Sequence, residues 1–476
     1  MSCGCHQFDQ IHSRRDFLRT TANGFGLLAL SHLLQTESGI ATASEAINPL
    51  SPKAPHFAPK AKRVIFLFMH GGPSQVDTFD YKPQLEKDHG KPLPFDKPRV
   101  VSAATGNLLK SPWKFQQHGQ SGAWVSELFP NIAKHVDDLC FIHSMHGSNS
   151  RHGGALLELH TGSDTFVRPS MGSWIVYGLG TENQNLPGYI TVCPTLTHGG
   201  VNAYNSAFLP AVFQGTPLGN ASTPSDKANI PFIHNADQLP PDLQRMELDL
   251  LQQIQADHLQ QTGPDSTLES RINSFELAYR MQTAAPELQD LSSETKEMQS
   301  LYGLDNPTTA NFGRQCLMAR RFAERGVRFI QISHSYKWDQ HDNLRADHQR
   351  NASEVDQPIA ALLQDMKARG LLEDTLLMWG GEFGRTPVAQ GDNGRDHNPH
   401  GYTMWLAGAG VKKGFKYGAT DDYGYYSVEN KVHLHDLHAT LLHLLGMDHK
   451  KLTYRVAGRD FRLTDIHGEL VTDILA

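Results

Sequence analysis

Cysteine is scarce. The 476-residue chain has five, with Cys3 and Cys5 near its start and Cys140, Cys193 and Cys316 far apart. No Cys-x-x-Cys knuckle and no disulfide framework can be built from that spacing. The last three lie in apolar sequence and read as small buried hydrophobes. A basic excess is also missing: 43 Lys and Arg stand against 50 Asp and Glu, a net charge of −7. Without surplus cations to neutralise phosphates, a nucleic-acid partner is excluded. No apolar run of 18 or more residues occurs, so the mature chain carries no expected transmembrane helix. The His70–Ser74 turn (HGGPS) has the glycines of a phosphate cradle but neither a Walker lysine nor GxGxxG spacing, which argues against nucleotide binding. Internal repeats and low-complexity tracts are absent too. What is abundant is apolar residues, at 39%, enough for a large core, and histidine, at 26. Imidazole is the commonest metal ligand and the usual acid–base group near neutral pH, so the placement of these residues matters most.

The N-terminus reads as an address. Ser13-Arg14-Arg15-Asp16-Phe17-Leu18-Arg19 fits a twin-arginine export signal, followed by a modest apolar run from Phe25 to Leu34 and a small-residue cleavage site at Ala41-Thr42-Ala43. That run is too short to span a bilayer, which needs about 20 residues. Residues 1–43 are therefore expected to be a removable leader, residues 44–60 a lead-in, and 61–476 the folded domain. The implied partner is the twin-arginine export machinery, and the implied location is periplasmic or extracellular.

Beyond the leader, continuous apolar runs at Arg63–Met69, Leu139–Ile142, Tyr189–Cys193, Val327–Ser333, Thr375–Trp379 and Tyr402–Ala407 have the character of parallel strands buried on both faces. Helical patterns at Asn311–Arg325 and Leu344–Arg369 each stop at a glycine (Gly326, Gly370) shortly before a strand, as in βαβ units. The stretch 215–310 is polar, Gln-rich and helical in pattern. The expected fold class is α/β: a mostly parallel central sheet flanked by helices, with a helical insertion or lid.

Ligands of open parallel sheets bind beyond the carboxyl ends of the strands. Four such positions carry Gly, His and carboxylates: His70–Asp77, His146–His152, His334 with Trp338–His341, and Gly380–Arg385 followed by Asp396–His400. Asp339 and His341 in their turn, Glu382 after its apolar strand, and His397 and His400 form an N/O donor set suited to a divalent cation. His435, His438 and His443 share one helical segment and are expected to be helix-face or rim residues.

The pattern resembles the alkaline phosphatase/sulfatase superfamily, in particular a twin-arginine-exported, sulfatase-like family with the same HGGPS, WDxH and GGEFGR segments. The resemblance spans residues from about 60 to 460. It implies an alkaline-phosphatase-like fold with one or two divalent ions (Zn, Mn or Ca). His70 stands where superfamily enzymes place a metal-binding Asp, and Asp339 with His341 resembles their Asp-x-x-x-His pair at shorter spacing. Glu382 stands at a metal-Asp position, and His397 resembles the final metal His; with His400 these complete the implied metal set. Counting back nine residues from Thr161-Gly162 places His152 at the nucleophile position. Arg151 is its implied catalytic neighbour, and Ser74, Asn149 and Arg385 are implied substrate contacts. The chain departs from the pattern in having no Cys-x-Pro-Ser-Arg or Cys-x-Ala-Ser-Arg, so sulfatase formylglycine chemistry does not transfer. The expected activity is metal-dependent hydrolysis of phosphate or sulfate esters, with His152 as nucleophile or as base. The substrate is an anionic ester, a sulfated or phosphorylated glycan among the candidates. The alternative is a catalytically inactive relative that binds anionic glycans at the cell surface.

Overall fold

Six consecutive apolar side chains, Val64 to Met69, follow Arg63 in β1 (Arg63–Met69), and all six are completely buried. A strand shielded on both faces belongs at the centre of a sheet covered by helices on both sides. The computed structural model describes residues 48–96, 104–231, 240–263 and 265–476; the leader motif, its apolar run and the Ala41–Ala43 site lie outside them. Residues Pro49–Ala476 form one unit.

In chain order β1 is followed by β2 (Thr105–Leu108), β3 (Leu139–His146), α1 (His152–Thr161), α2 (Met171–Leu179), β4 (Tyr189–Val192) and β5 (Thr216–Leu218). Then come α3 (Pro241–Thr262), α4 (Ser266–Gln289), α5 (Ala310–Glu324), β6 (Phe329–His334), α6 (Leu344–Ala368) and β7 (Thr375–Gly380). The last third holds β8 (Gly384–Gln390), β9 (Gly394–Asn398), β10 (Tyr402–Gly408), β11 (Phe415–Tyr417) and α7 (Leu434–Leu444). The central sheet runs β11-β3-β10-β7-β1-β6-β4-β5. β1 pairs in parallel with β6 and β7, and β4 with β6 and β5. Only β10 runs against its neighbours, β3 and β7, which leaves β3 pointing the same way as β7. The expected α/β class with a mostly parallel sheet is what the chain adopts.

Local sequence explains most boundaries. Gly326 and Gly370 both take left-handed backbone just past α5 and α6, where a side chain would be strained. α3 and α4 occupy the stretch expected to be helical, but Thr216–Leu218 within it is an edge strand of the sheet. The expected lead-in is tied down: Lys53 N–H donates to Leu179 O at 2.9 Å and Lys60 N–H to Leu444 O at 2.8 Å. Those carbonyls are the unpaired last ones of α2 and α7, so an extended segment supplies the donors they need. Cys140, Cys193 and Cys316 are free and buried, as their apolar settings imply.

β8 and β9 form an antiparallel pair with β2 alongside, set beyond the end of β7. A fully buried ion pair anchors it: Arg395 Nε and Nη2 reach Asp77 at 2.7 and 3.1 Å, and Asp77 also accepts Ser74 Oγ at 2.5 Å. Removing one partner strands the other charge in the core. Asp77→Ala should therefore lower the unfolding free energy by about 3–5 kcal/mol in urea titration. Asp460→Ala, which breaks the exposed Arg455–Asp460 pair, should cost at most about 1 kcal/mol.

Candidate metal centre

Because β1, β3, β4, β6 and β7 point the same way, their following loops meet on one edge. His70 follows β1, Ser150 and His152 follow β3, His198 follows β4, Tyr336 to His341 follow β6, and Glu382 follows β7. His397 arrives on β9, paired with Arg385 on β8.

Asp339 is the focus. Its Oδ1 lies 3.2 Å from His152 Nε2, 3.0 Å from His341 Nε2, 3.1 Å from His397 Nε2 and 2.6 Å from Arg385 Nη2. The far nitrogens of the three imidazoles are all tethered. His152 Nδ1 is 2.7 Å from Glu382 Oε1, His341 Nδ1 is 2.6 Å from Gln390 Oε1, and His397 Nδ1 is 2.7 Å from the Ser150 carbonyl. A carboxylate, an amide oxygen and a carbonyl can only accept, so each Nδ1 carries hydrogen. In the neutral rings the Nε2 lone pairs therefore face Asp339 and one another. This is how proteins orient metal-binding histidines, with the outer nitrogen fixed by an acceptor.

Electrostatics point the same way. Burial pushes His397 down to about 4 despite Asp339, so near neutral pH its lone pair confronts the Asp339 oxygen with no proton between them. Burial would lower His152 as well, but its contacts with Asp339 and Glu382 prevail and raise it to about 9. His341 is raised, chiefly by Asp339. Asp339 is half withdrawn from water, which disfavours its charge. Even so, His152, His341 and Arg385 hold it far below the usual carboxylate range. Glu382 is fully buried yet sits at about 2, held chiefly by its hydrogen bond with His152. Its two oxygens also accept the Gly71 N–H at 3.1 and 3.2 Å. His152 Nε2 is buried with no aligned hydrogen-bond partner. An orphaned buried nitrogen, opposed lone pairs and a three-imidazole, one-carboxylate donor set all fit a divalent cation.

The residues singled out in the sequence sort into distinct places. Asp339, His341 and His397 meet as expected, and His152 joins them at the centre. Glu382 stands behind His152, on its outer nitrogen. His70 lies beside the group, but its Nδ1 accepts the Tyr336 N–H at 3.1 Å, which puts its hydrogen on Nε2. His70 therefore has no free lone pair to offer a cation. His400 lies apart, its ring against Tyr426 at 5.5 Å, and it belongs to none of the metal-capable groups among the described residues. The Arg385 guanidinium is fully buried and bonded to the carbonyls of Gly71, Gly72, Trp338 and Arg395 as well as to Asp339. It positions Asp339 and, with no exposed surface, is out of reach of a substrate. Ser74 is likewise buried and committed to Asp77, while Asn149 accepts the Arg151 N–H at 2.9 Å and shapes its own loop. Only Arg151, at the start of α1, keeps an exposed side chain. The glycines of the HGGPS turn allow close approach. A Cβ on Gly71, at φ +117°, would come within 2.7 Å of the Trp338 and Asp339 backbone.

Sequence reading missed His198, Tyr336, Gln390 and the Ser150 carbonyl. His198 had a usable signal, because Thr197-His198-Gly199-Gly200 repeats the strand-then-His-Gly pattern of His70-Gly71-Gly72. A further group, Glu158 with His433 and His435, includes one of the expected helix-face residues. There His433 Nδ1 accepts the His435 N–H at 3.2 Å, leaving Nε2 to face Glu158 at 3.4 Å. That group reads as a hydrogen-bonded helix cap.

Residues 61–475 match the family described as "Protein of unknown function (DUF1501)", and the chain belongs to that family. No curated protein matches it. It is similar to the solved structure of a protein in the alkaline phosphatase superfamily from Vibrio parahaemolyticus, with 11% identity over 90% of this chain and 76% of that one, TM-score 0.36. It is also similar to the PsFucS1 sulfatase from Pseudoalteromonas sp., with 13% identity over 84% and 71%, TM-score 0.35. For the alkaline phosphatase from the Antarctic bacterium TAB5 the figures are 11%, 82% and 99%, TM-score 0.35. Overlaps this loose leave the chemistry to the site's own geometry.

Purified protein should carry about one equivalent of divalent metal at this cluster, measured by elemental analysis. Asp339→Ala and His397→Ala should each lose most of it, and His400→Ala should keep it. A cation must displace the proton that His152 holds up to about 9. Uptake near pH 7 should release about one proton, and apparent affinity should rise about tenfold per pH unit between 6 and 8. Calorimetry in buffers of different ionisation enthalpy measures both.

Proposed function

Starting from its membership of the DUF1501 family, we propose that this chain is a metal-dependent hydrolase of phosphate or sulfate esters. The observation that carries the reading is the three tethered imidazoles whose Nε2 atoms close on Asp339 Oδ1. His152, His341, His397 and Asp339 would hold the ion, and Glu382 would keep the His152 ring in register through Nδ1. Three nitrogens and one oxygen suit Zn²⁺, or Mn²⁺ next; Ca²⁺, which seeks oxygen ligands, fits this set poorly. Such an ion, when bound, lowers the pKa of water and neutralises charge on an ester oxygen.

The chain's own residues do the rest. Both ring nitrogens of His152 face carboxylates, so the attacking group is water and His152 is a ligand. Hydrolysis forms a bond from the water oxygen to phosphorus or sulfur and breaks the bond to the ester oxygen. One water proton ends on the released alcohol and the other goes to solvent. Arg385 and the Gly71 N–H hold Asp339 and Glu382 in place, so no reorganisation is needed as charge develops. Arg151, exposed at the α1 start, is the cation available to the anionic substrate.

We also place the protein outside the cytoplasm, on the strength of Ser13–Arg19, with the twin-arginine machinery as its export partner. Metal loading before export suits a pathway that carries folded proteins.

Against a panel of aryl phosphate and sulfate esters, metal-loaded protein should turn over at least one class. His152→Ala should lose more than about 99% of that activity together with its metal. Arg151→Ala should keep the metal and raise KM about tenfold. Metal-loaded wild type inert toward both classes would overturn the hydrolase reading. Arg14→Lys with Arg15→Lys should retain the full-length precursor in the cytoplasm on cell fractionation.

A further inference from the structure

Two imidazoles at the centre remain without a role: His70 and His198. One ring nitrogen from each of His70, His152 and His198 lies within 4.8 Å of the others. The His198 ring stacks on His152 at 4.7 Å, nearly parallel, and stands edge-on to His70 at 5.7 Å. His70 is completely buried, yet its Nε2 has no hydrogen-bond partner; Glu382 Oε1 is 4.0 Å away, too far to accept. His198 Nδ1 is likewise buried without a partner. Two orphaned ring nitrogens beside one metal-capable cluster are costly unless something binds there.

Hydrogen placement decides what that is. His70 Nδ1 accepts the Tyr336 N–H, so Nε2 presents N–H and repels a second cation. The complementary ligand is an acceptor. The backbone supports a built pocket: His198 at φ +52° and Tyr336 at φ +48° both hold left-handed conformations, rare for side chains of this size. Their rings meet at 4.8 Å, and Tyr336 also lies 5.1 Å from His70. Two strained loops, after β4 and β6, thus bring these two rings against His70 and His152.

We propose that His70 Nε2 and His198 form a neutral two-donor cradle for the oxygens of a tetrahedral oxyanion, phosphate or sulfate, seated next to the metal cluster. This rests on the ester-hydrolase reading and assigns to these histidines the anion contacts that the buried Arg385 cannot make. Neutral donors in a water-poor site stabilise the extra charge of a substrate oxygen without adding fixed positive charge to repel the cation.

The test is calorimetric titration of Zn²⁺-loaded protein with inorganic phosphate and, separately, with sulfate, alongside metal content. His198→Ala should leave the metal in place and weaken binding of the preferred anion roughly 10- to 100-fold. His198→Gln, which restores an N–H donor, should recover most of the loss, and His70→Asn should weaken binding in the same direction. Preference for one anion identifies the ester class. Loss of metal in His198→Ala would make this residue a ligand and overturn the cradle. Unchanged anion affinity with the metal retained would overturn it too, as would metal-loaded wild type that binds neither anion. A wild type that takes up no metal fails differently, since it removes the hydrolase reading and the cradle with it.

Discussion

Everything at the strand ends depends on one carboxylate oxygen. Asp339 Oδ1 is approached by three imidazole nitrogens and a guanidinium within 3.2 Å. Such crowding is tolerable only if the charges balance. Without a cation, the balance comes from a proton held on His152 and from Arg385. With one, the same oxygen and the same three Nε2 atoms would be its coordination set on the reading proposed above, and the proton would leave. The arrangement needs little movement to exchange one positive charge for another, which is the property a metal site requires.

The surrounding structure keeps that oxygen where it is. The fully buried Arg385 guanidinium closes the His-Gly-Gly turn onto the Trp338–Asp339 segment. That closure is close enough that a methyl group on Gly71 would strike backbone. Behind it, the buried Asp77–Arg395 pair locks the β8–β9 hairpin, and the hairpin carries both Arg385 and His397. The two buried arginines therefore act in series: one places the hairpin, and the other uses it to place Asp339. Arginine suits both positions because its planar fork makes several fixed bonds at once and never loses its charge.

Much of this was legible beforehand. Six apolar runs gave the central strands to within a few residues, since double-sided burial leaves a signature no surface segment shares. The edge strand Thr216–Leu218 was not legible, because three residues carry too little pattern. At the site, Asp339, His341 and His397 could be picked out because histidine and carboxylate follow strands there. His198 escaped although the same pattern precedes it, and Gln390 and the Ser150 carbonyl escaped because a neutral amide and a backbone oxygen have no chemical mark in a sequence. His152 was found by position, and its two carboxylate neighbours favour a ligand over the nucleophile or base expected there.

The sequence by itself determined the α/β class, the strands whose ends carry chemistry, and a donor composition of imidazole and carboxylate. Residue type and hydrophobic period suffice for that, because burial acts on each segment locally. Only the tertiary structure decided which histidines offer lone pairs and which offer hydrogens. That choice is made by the acceptor or donor on each ring's far nitrogen, and those partners come from elements up to 266 residues away. Equivalent side chains in the sequence thus turn Nε2 inward with the outer nitrogen tethered at 152, 341 and 397 and present N–H at 70, by hydrogen bonds that no spacing encodes.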